Sequence, residues 1–403
     1  MAEEKTLTLE KKMLKRYKIY FIIGSVCLIT FTLLGIIAGR VLLNEQTYKN
    51  LAVLTEVLEL VERNYVEPVD LRKLYRGALT GLMESLDPEC TYLTAEEYQA
   101  FAQSPQEEPG DIGLEVNKNS GFDYARIVRI LPNSPAEREG IQPGDWLRAV
   151  DRLSTQKLSL WSIRRKLRGP IDSSVTLSIT KKEKREAERI TLKREKVSPE
   201  RVSNRVFEGG IGYLRIPNFL PGVSGSVAQG LQSLQESGIT SLLIDLRGNI
   251  LGQLNEVIAI ADMLLDRGEI TSLKMPKGIE SSYSAKVGTT LYGGKLFLLV
   301  DGDTSNWGEM LAAAIKDNKR GELIGEQTFG RGSLQKIIPL EDGSALRLSV
   351  GMFLTPGKAP IEGKGVTPDL SLTEGKIKEM VEREFVPGDP QLNKVLSYIA
   401  VSN

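Results

Sequence analysis

GELIGEQTFGRGSLQKIIPLEDGSALRLSVGMFLTPGKAPIEGKGVTPDL, Gly321 to Leu370, strings together three β-like runs, ELIGE, GSLQKIIPL and ALRLSVGMFL, each bounded by turn-forming residues. Just before it stand the strand-like KLFLLVDG (Lys295 to Gly302) and the helix-like WGEMLAAAIKD (Trp307 to Asp317). Further back come GGIGYLRIPNF (Gly209 to Phe219), a helical stretch around Val227 to Ser237, the strand SLLIDLRGN (Ser241 to Asn249) and the helix LNEVIAIADMLLD. Strands that alternate with helices make an α/β domain.

A different pattern occupies Ile112 to about Arg194. Short β-like runs (IGLEV, ARIVRIL, DWLRAV, VTLSIT, RITLKR) alternate with turn signals such as NSG and QPGD, and one helix, Leu160 to Leu167, interrupts them. GLEV (Gly113 to Val116), NSPAEREGIQPGDWLRAVD (Asn133 to Asp151) and LRG (Leu167 to Gly169) follow in an order and spacing that resemble a PDZ domain. Such a domain captures an extended peptide as an added strand and holds its terminal carboxylate on backbone N–H groups. The resemblance puts that role on Ile112, Gly113 and Leu114, with Gly113 permitting close backbone approach. Arg168, at the end of the helix, is placed to report peptide occupancy to the next domain, or is a solvated surface arginine.

Nearer the amino terminus, Leu51, Leu54, Val57, Leu58 and Val61 recur at spacings of three and four, as do Leu74, Ala78, Leu82 and Leu86. These are amphipathic helices. LDPECTYLTAEEYQAF breaks the pattern at Asp87 and Pro88, and Thr94 with Glu97 three residues on predicts a capping box. SPQEEPGD, Ser104 to Asp111, is a polar linker and domain boundary.

From Ile19 to Gly39 the chain is uncharged for about the length that crosses a hydrocarbon core as a helix. It follows Lys11, Lys12, Lys15, Arg16 and Lys18, which predicts a single-pass anchor with a cytoplasmic amino terminus and an extracytoplasmic body in a bacterial cell envelope. A cleaved signal peptide is the alternative, with small residues near Ala38 and Gly39 as the cleavage site.

Composition narrows the chemistry. Lys plus Arg and Asp plus Glu both total 52, so no global field attracts nucleic acid. With His at 0, the Ser-His-Asp and Cys-His arrangements and His-ligated zinc are excluded. Cys27 and Cys90 lie in segments of different character and do not suggest a disulfide framework. No cofactor, metal cluster or phosphate loop is expected, and GKGV, Gly363 to Val366, lacks the spacing and hydroxyl of a P-loop.

LLIDLRGN, the Gly321 to Leu370 block and LDPECTYL together resemble the S41 peptidases, the carboxyl-terminal processing or tail-specific proteases. Active members of that family place a nucleophilic serine in a Ser-Ala-Ser-Ala-Ser-Glu run opening a helix. Their base is a lysine in Phe-Gly-Lys-Gly, with a glutamine four residues later. Anchored at Glu309 and at Phe329 and Gly330, the pattern puts Asn306 at the nucleophile position, Arg331 at the lysine position and Gln335 at the glutamine position. A carboxamide is a poor nucleophile, and arginine stays protonated and cannot accept a proton. The family's oxyanion turn, Gly-Asn-Pro-Gly-Gly, reads Gly248, Asn249, Ile250, Leu251, Gly252, so Leu251 replaces a glycine. Asp303 adds a carboxylate that would oppose an oxyanion.

The whole reads as an α+β multidomain chain: cytoplasmic tail 1–18, transmembrane helix 19–39, small helical (dimerisation-type) domain 44–105, PDZ β-sandwich or barrel 106–196, α/β S41 (ClpP/crotonase-like) peptidase core 197–375 and C-terminal helical segment 376–403. Three functions follow. One is a pseudoprotease whose PDZ domain binds polypeptides with free apolar C-termini, acting as a homodimer or in a mixed oligomer with an active S41 relative. Another is an active serine-type endopeptidase with a displaced nucleophile, Ser305 or Ser333 with Lys336. The last is a scaffold whose PDZ groove is closed.

Overall fold

The computed structural model describes residues 24–26, 28–32, 45–103, 110–118, 123–182, 184, 186–372 and 385–402. Among these, no helix is long and apolar enough to cross a membrane. The expected transmembrane helix is corrected accordingly: a span needs about 20 continuous apolar helical residues, and no described helix supplies them; much of 19–39 lies outside the described residues. The tail 1–18, Cys27 and most of the Ser104–Asp111 linker lie outside the described residues.

Two compact units divide the chain at Ala78 and Leu79. In the first, α1 (Glu45–Asn64) exposes Leu51, Leu54 and Val57, the residues whose spacing marked it as amphipathic. Helix α2 (Leu71–Glu84) begins in this unit and ends in the second.

The second unit opens with β1 (Thr91–Leu93) and α3 (Ala95–Ala102), the latter started by the expected box: Glu97 N–H donates to the Thr94 hydroxyl and Thr94 N–H to the Glu97 carboxylate. The small β domain then supplies β2 (Leu114–Asn117), β3 (Ala125–Ile130), the single turn α4 (Pro135–Arg138), β4 (Trp146–Val150), β5 (Leu153–Ser154), α5 (Leu160–Leu167), β6 (Ser174–Thr180) and β7 (Glu188–Lys193). Its antiparallel sheet runs β2-β3-β4-β6-β7, with β5 on β4, and leaves one edge of β2 facing away from the sheet. Leu160, Ile163 and Leu167, the apolar stripe of α5, pack into the same core as Leu114 and Val116 of β2.

The larger domain follows with β8 (Ser203–Phe207), β9 (Ile211–Arg215), α6 (Val223–Glu236), β10 (Ser241–Asp245), α7 (Leu254–Leu264), β11 (Glu269–Met275), β12 (Gly278–Ser284), β13 (Lys295–Val300), α8 (Trp307–Asp317), β14 (Glu322–Gly325), β15 (Ser333–Pro339), β16 (Ala345–Leu354), β17 (Leu370–Ser371) and α9 (Pro390–Ser402). Its central sheet, β17-β14-β13-β10-β9-β8, is parallel from β17 to β9, with β8 antiparallel. Parallel strands covered on both faces read as continuous apolar runs, and the period of two sorts them. Leu242, Ile244, Leu296 and Leu298 join the cluster formed with α6, α7 and α8. Leu243, Phe297 and Leu299 join the opposite one, with Leu392, Val395, Leu396 and Ile399 of α9. A second sheet, β1-β16-β11-β12 with β15 on β16, is antiparallel, and β1 brings the 79–103 segment onto the core.

Leu396 is fully buried against the sheet, so Leu396→Ala should lower unfolding free energy by about 2–5 kcal/mol, measured by urea denaturation. A change near zero would mean that α9 does not close this face.

Candidate functional site

In a parallel α/β sheet ligands gather beyond the carboxyl ends of the strands, and here the loops after β10 and β13 meet. Asp301, just past β13, shapes the junction: its Oδ1 accepts N–H bonds from Gly248 (3.0 Å), Asp303 (3.1 Å) and Thr304 (2.7 Å). The loop then turns into α8 at Asn306, which adopts φ 54° and ψ −102°, a left-handed conformation that costs a non-glycine residue of order 1–3 kcal/mol. Its Oδ1 is buried without a hydrogen-bond partner. Glu309, one turn into the helix, is fully buried. It accepts from Asn306 N–H (2.8 Å), Arg331 N–H (2.8 Å), Gly330 N–H (2.6 Å) and the Thr328 hydroxyl (2.5 Å). Burial pushes its carboxyl up to about 7, against the pull of these donors. Glu309 thus ties the start of α8 to the Phe329-Gly330-Arg331 loop. The sequence-predicted neighbours Asn306 and Arg331 are brought together through it.

The Arg331 guanidinium points elsewhere. Its Nη1 donates to Glu89 Oε1 at 3.2 Å and its Nη2 to the Lys118 carbonyl at 2.9 Å, with Phe329 stacked 4.8 Å away. Glu89 belongs to the turn before β1, where Asp87 Oδ1 accepts the N–H of Glu89 and of Cys90. The same carboxylate receives Arg164 of α5 at 3.3 Å and Arg347 of β16 at 2.7 Å. Burial works against the charge of Glu89, and the three guanidinium groups outweigh it, holding the carboxyl at about 2.

The other anticipated residues are engaged structurally. Gln335 Nε2 donates to the Ser333 hydroxyl at 2.8 Å rather than serving position 331. Ser333 and Lys336 sit three apart on β15, hence on opposite faces, and Lys336 is exposed while Ser333 is buried. Ser305 is buried and its N–H donates to the Asn249 carbonyl. In the turn after β10, the Leu251 carbonyl accepts Phe219 N–H at 2.7 Å, and a Cβ at Gly252 would stand 2.4 Å from that of Phe219. Leu251 is not among the residues with positive φ, so the replacement stores no left-handed strain. Asp303 is neutralised by Arg126 of β3.

In the small β domain, Ile112 and Gly113 do lie together with Arg168, but through Asp111. Ile112 N–H (2.7 Å) and Gly113 N–H (2.9 Å) both donate to Asp111 Oδ1, and Arg168 Nε donates to Asp111 Oδ2 at 2.9 Å. Sequence reasoning missed Asp111, Glu89 and Lys118. The first carried a signal, since Asp readily accepts the N–H two residues on. Lys118, fully buried with Nζ on the carbonyls of Thr155 (2.9 Å) and Leu158 (2.8 Å), is pushed down to about 8 by burial. It carried none.

Peptidase family S41 matches residues 210–372 and the PDZ domain matches residues 126–181. A carboxy-terminal-processing protease of Bartonella bacilliformis is 32% identical over 333 residues, 81% of this chain and 76% of its own length. The carboxyl-terminal-processing protease of Synechocystis is 31% identical over 77% of this chain and 74% of its own. Among solved structures, the photosystem II D1 C-terminal processing protease superposes with a TM-score of 0.67 at 28% identity, covering 79% of this chain and 86% of its own.

Because the folded Glu89 value lies below the ordinary one of 4.5, its contribution is present above about pH 4.5 and is lost as pH falls toward 2. Urea midpoints of the native chain should drop across that window. Glu89→Gln should cost about 3–5 kcal/mol at pH 7 and flatten the acid limb. An acid limb identical in both chains would refute the arrangement.

Proposed function

Since the chain belongs to the carboxyl-terminal-processing protease family, we propose that it is a member that holds polypeptide without cutting it. The observation that carries this reading is Arg331. At the position where active relatives carry a lysine base stands a group that cannot release its proton, already committed to Glu89 and to the Lys118 carbonyl. At the position where active relatives carry the nucleophile, Asn306 starts α8 with a positive φ and offers a carboxamide. Loss of a nucleophile alone lowers turnover by about 10⁶ in a well-studied serine protease.

The displaced alternatives fare worse in this geometry. Ser333 faces away from Lys336 along β15, and neither serine has an amine among its hydrogen-bond partners. The binding function falls to the PDZ domain, whose strand β2 and helix α5 frame the place for an added peptide strand with a free apolar carboxyl terminus. Regulation of an active S41 relative by shared capture of its substrates is the role that fits a binder of this kind.

Incubated with unstructured polypeptides, the chain should leave them intact by mass spectrometry, as should Ser305→Ala and Ser333→Ala, while fluorescence anisotropy registers binding. Cleavage that disappears in either alanine variant would overturn the proposal.

A further inference from the structure

A PDZ domain holds its ligand's terminal carboxylate on backbone N–H groups, and successive N–H groups that converge make an anion seat. Here the loop that supplies them is Asp111-Ile112-Gly113-Leu114, and the seat already holds an anion. One oxygen of Asp111 takes the N–H groups of Ile112 and Gly113, and the other takes Arg168 Nε. The backbone of Asp111 is strapped on both sides, so only its side chain can leave the seat. Its N–H donates to the Glu195 carbonyl and its carbonyl accepts Glu195 N–H, at 2.8 and 3.0 Å, while Gly110 pairs with Gly169 just past α5. The carbonyls of Ile112 and Gly113 are spent as well, on Ala136 and Leu131 N–H.

The peptide edge beyond the seat is shut too. All four residues of β2 are buried, and Arg164 of α5 reaches along the edge to within 3.5 Å of the Val116 carbonyl, held there by Glu89. An incoming strand needs that carbonyl and those N–H groups. Two carboxylates cannot share one seat, since like charges in contact repel and only one set of donors exists.

We propose that Asp111 is a built-in mimic of a peptide's terminal carboxylate, so that the PDZ domain rests self-capped and admits a free carboxyl terminus only by expelling it. The inference rests on the peptide-holding reading above and adds its gate. The class of ligand is a chain with a free α-carboxylate. A C-terminal amide, lacking the anion, does not compete for the seat.

The test uses the full chain, Asp111→Ala, and Asp111→Asn, which keeps the shape and removes the charge. Each is titrated with one apolar-ended fluorescent peptide as free acid and as C-terminal amide, and hydrogen exchange is followed over residues 110–117. Asp111→Ala should bind the free acid at least tenfold tighter than the native chain, Asp111→Asn should gain less, and the amide should gain nothing. In the absence of peptide, exchange across the segment should rise in Asp111→Ala. Equal affinity of native and variant chains for the free acid, or unchanged exchange, would overturn the self-cap while leaving peptide holding intact. No binding of either peptide by any chain would overturn the holding reading and the gate together.

Discussion

One carboxylate, that of Glu89, organises the second unit. It is almost wholly buried, and a buried charge is tolerated only with partners. Its partners come from three places far apart in the chain: Arg164 on the PDZ helix α5, Arg331 in the loop before β15 and Arg347 on β16. Arg347 also donates to the Glu89 backbone carbonyl, and Leu160 N–H, at the start of α5, donates to the neighbouring Pro88 carbonyl at 2.9 Å. The turn before β1 is therefore a junction where small β domain and peptidase fold are both bound. Removing Glu89 would strand the three guanidinium groups as like charges with no carboxylate between them.

That junction depends on residue 331 being an arginine rather than a lysine. A lysine is a single point charge on a flexible stem, whereas an arginine presents a planar fork that meets two acceptors at once. Arg331 uses the fork to join Glu89 to the Lys118 carbonyl, and so joins the two domains. Glu309 still collects four donors, and Asn306 still carries the strain of the helix start.

Much of this was legible in the sequence. Helices Leu160–Leu167 and Trp307–Asp317 have the bounds read from the sequence, and Thr94 caps its helix as its spacing to Glu97 required. The β11–β12 hairpin was missed, because its second strand, GIESSYS, is polar and largely exposed and lacks the apolar signal of the parallel strands. The transmembrane expectation rested on the apolar run at 19–39 and the basic cluster before it, and among the described residues no helix is long and apolar enough to cross a membrane. Glu89 was quoted only within LDPECTYL, with no role of its own. Its partner Arg331 is 242 residues away, and no periodicity records a contact of that separation. Asp111 was counted as the end of a linker, although an aspartate before Ile-Gly-Leu was already a candidate to bind the loop's own N–H groups.

The proposed holding of uncut polypeptide requires that no hydroxyl in this fold be an activated nucleophile. The most direct measurement is labelling of the full chain with a fluorophosphonate, which forms a covalent adduct only with a hydroxyl that a neighbouring base has activated. Intact mass should show the unmodified chain after incubation with excess reagent, at a dose that labels an active serine peptidase to completion. A stoichiometric adduct mapped to Ser305 or Ser333 would contradict it.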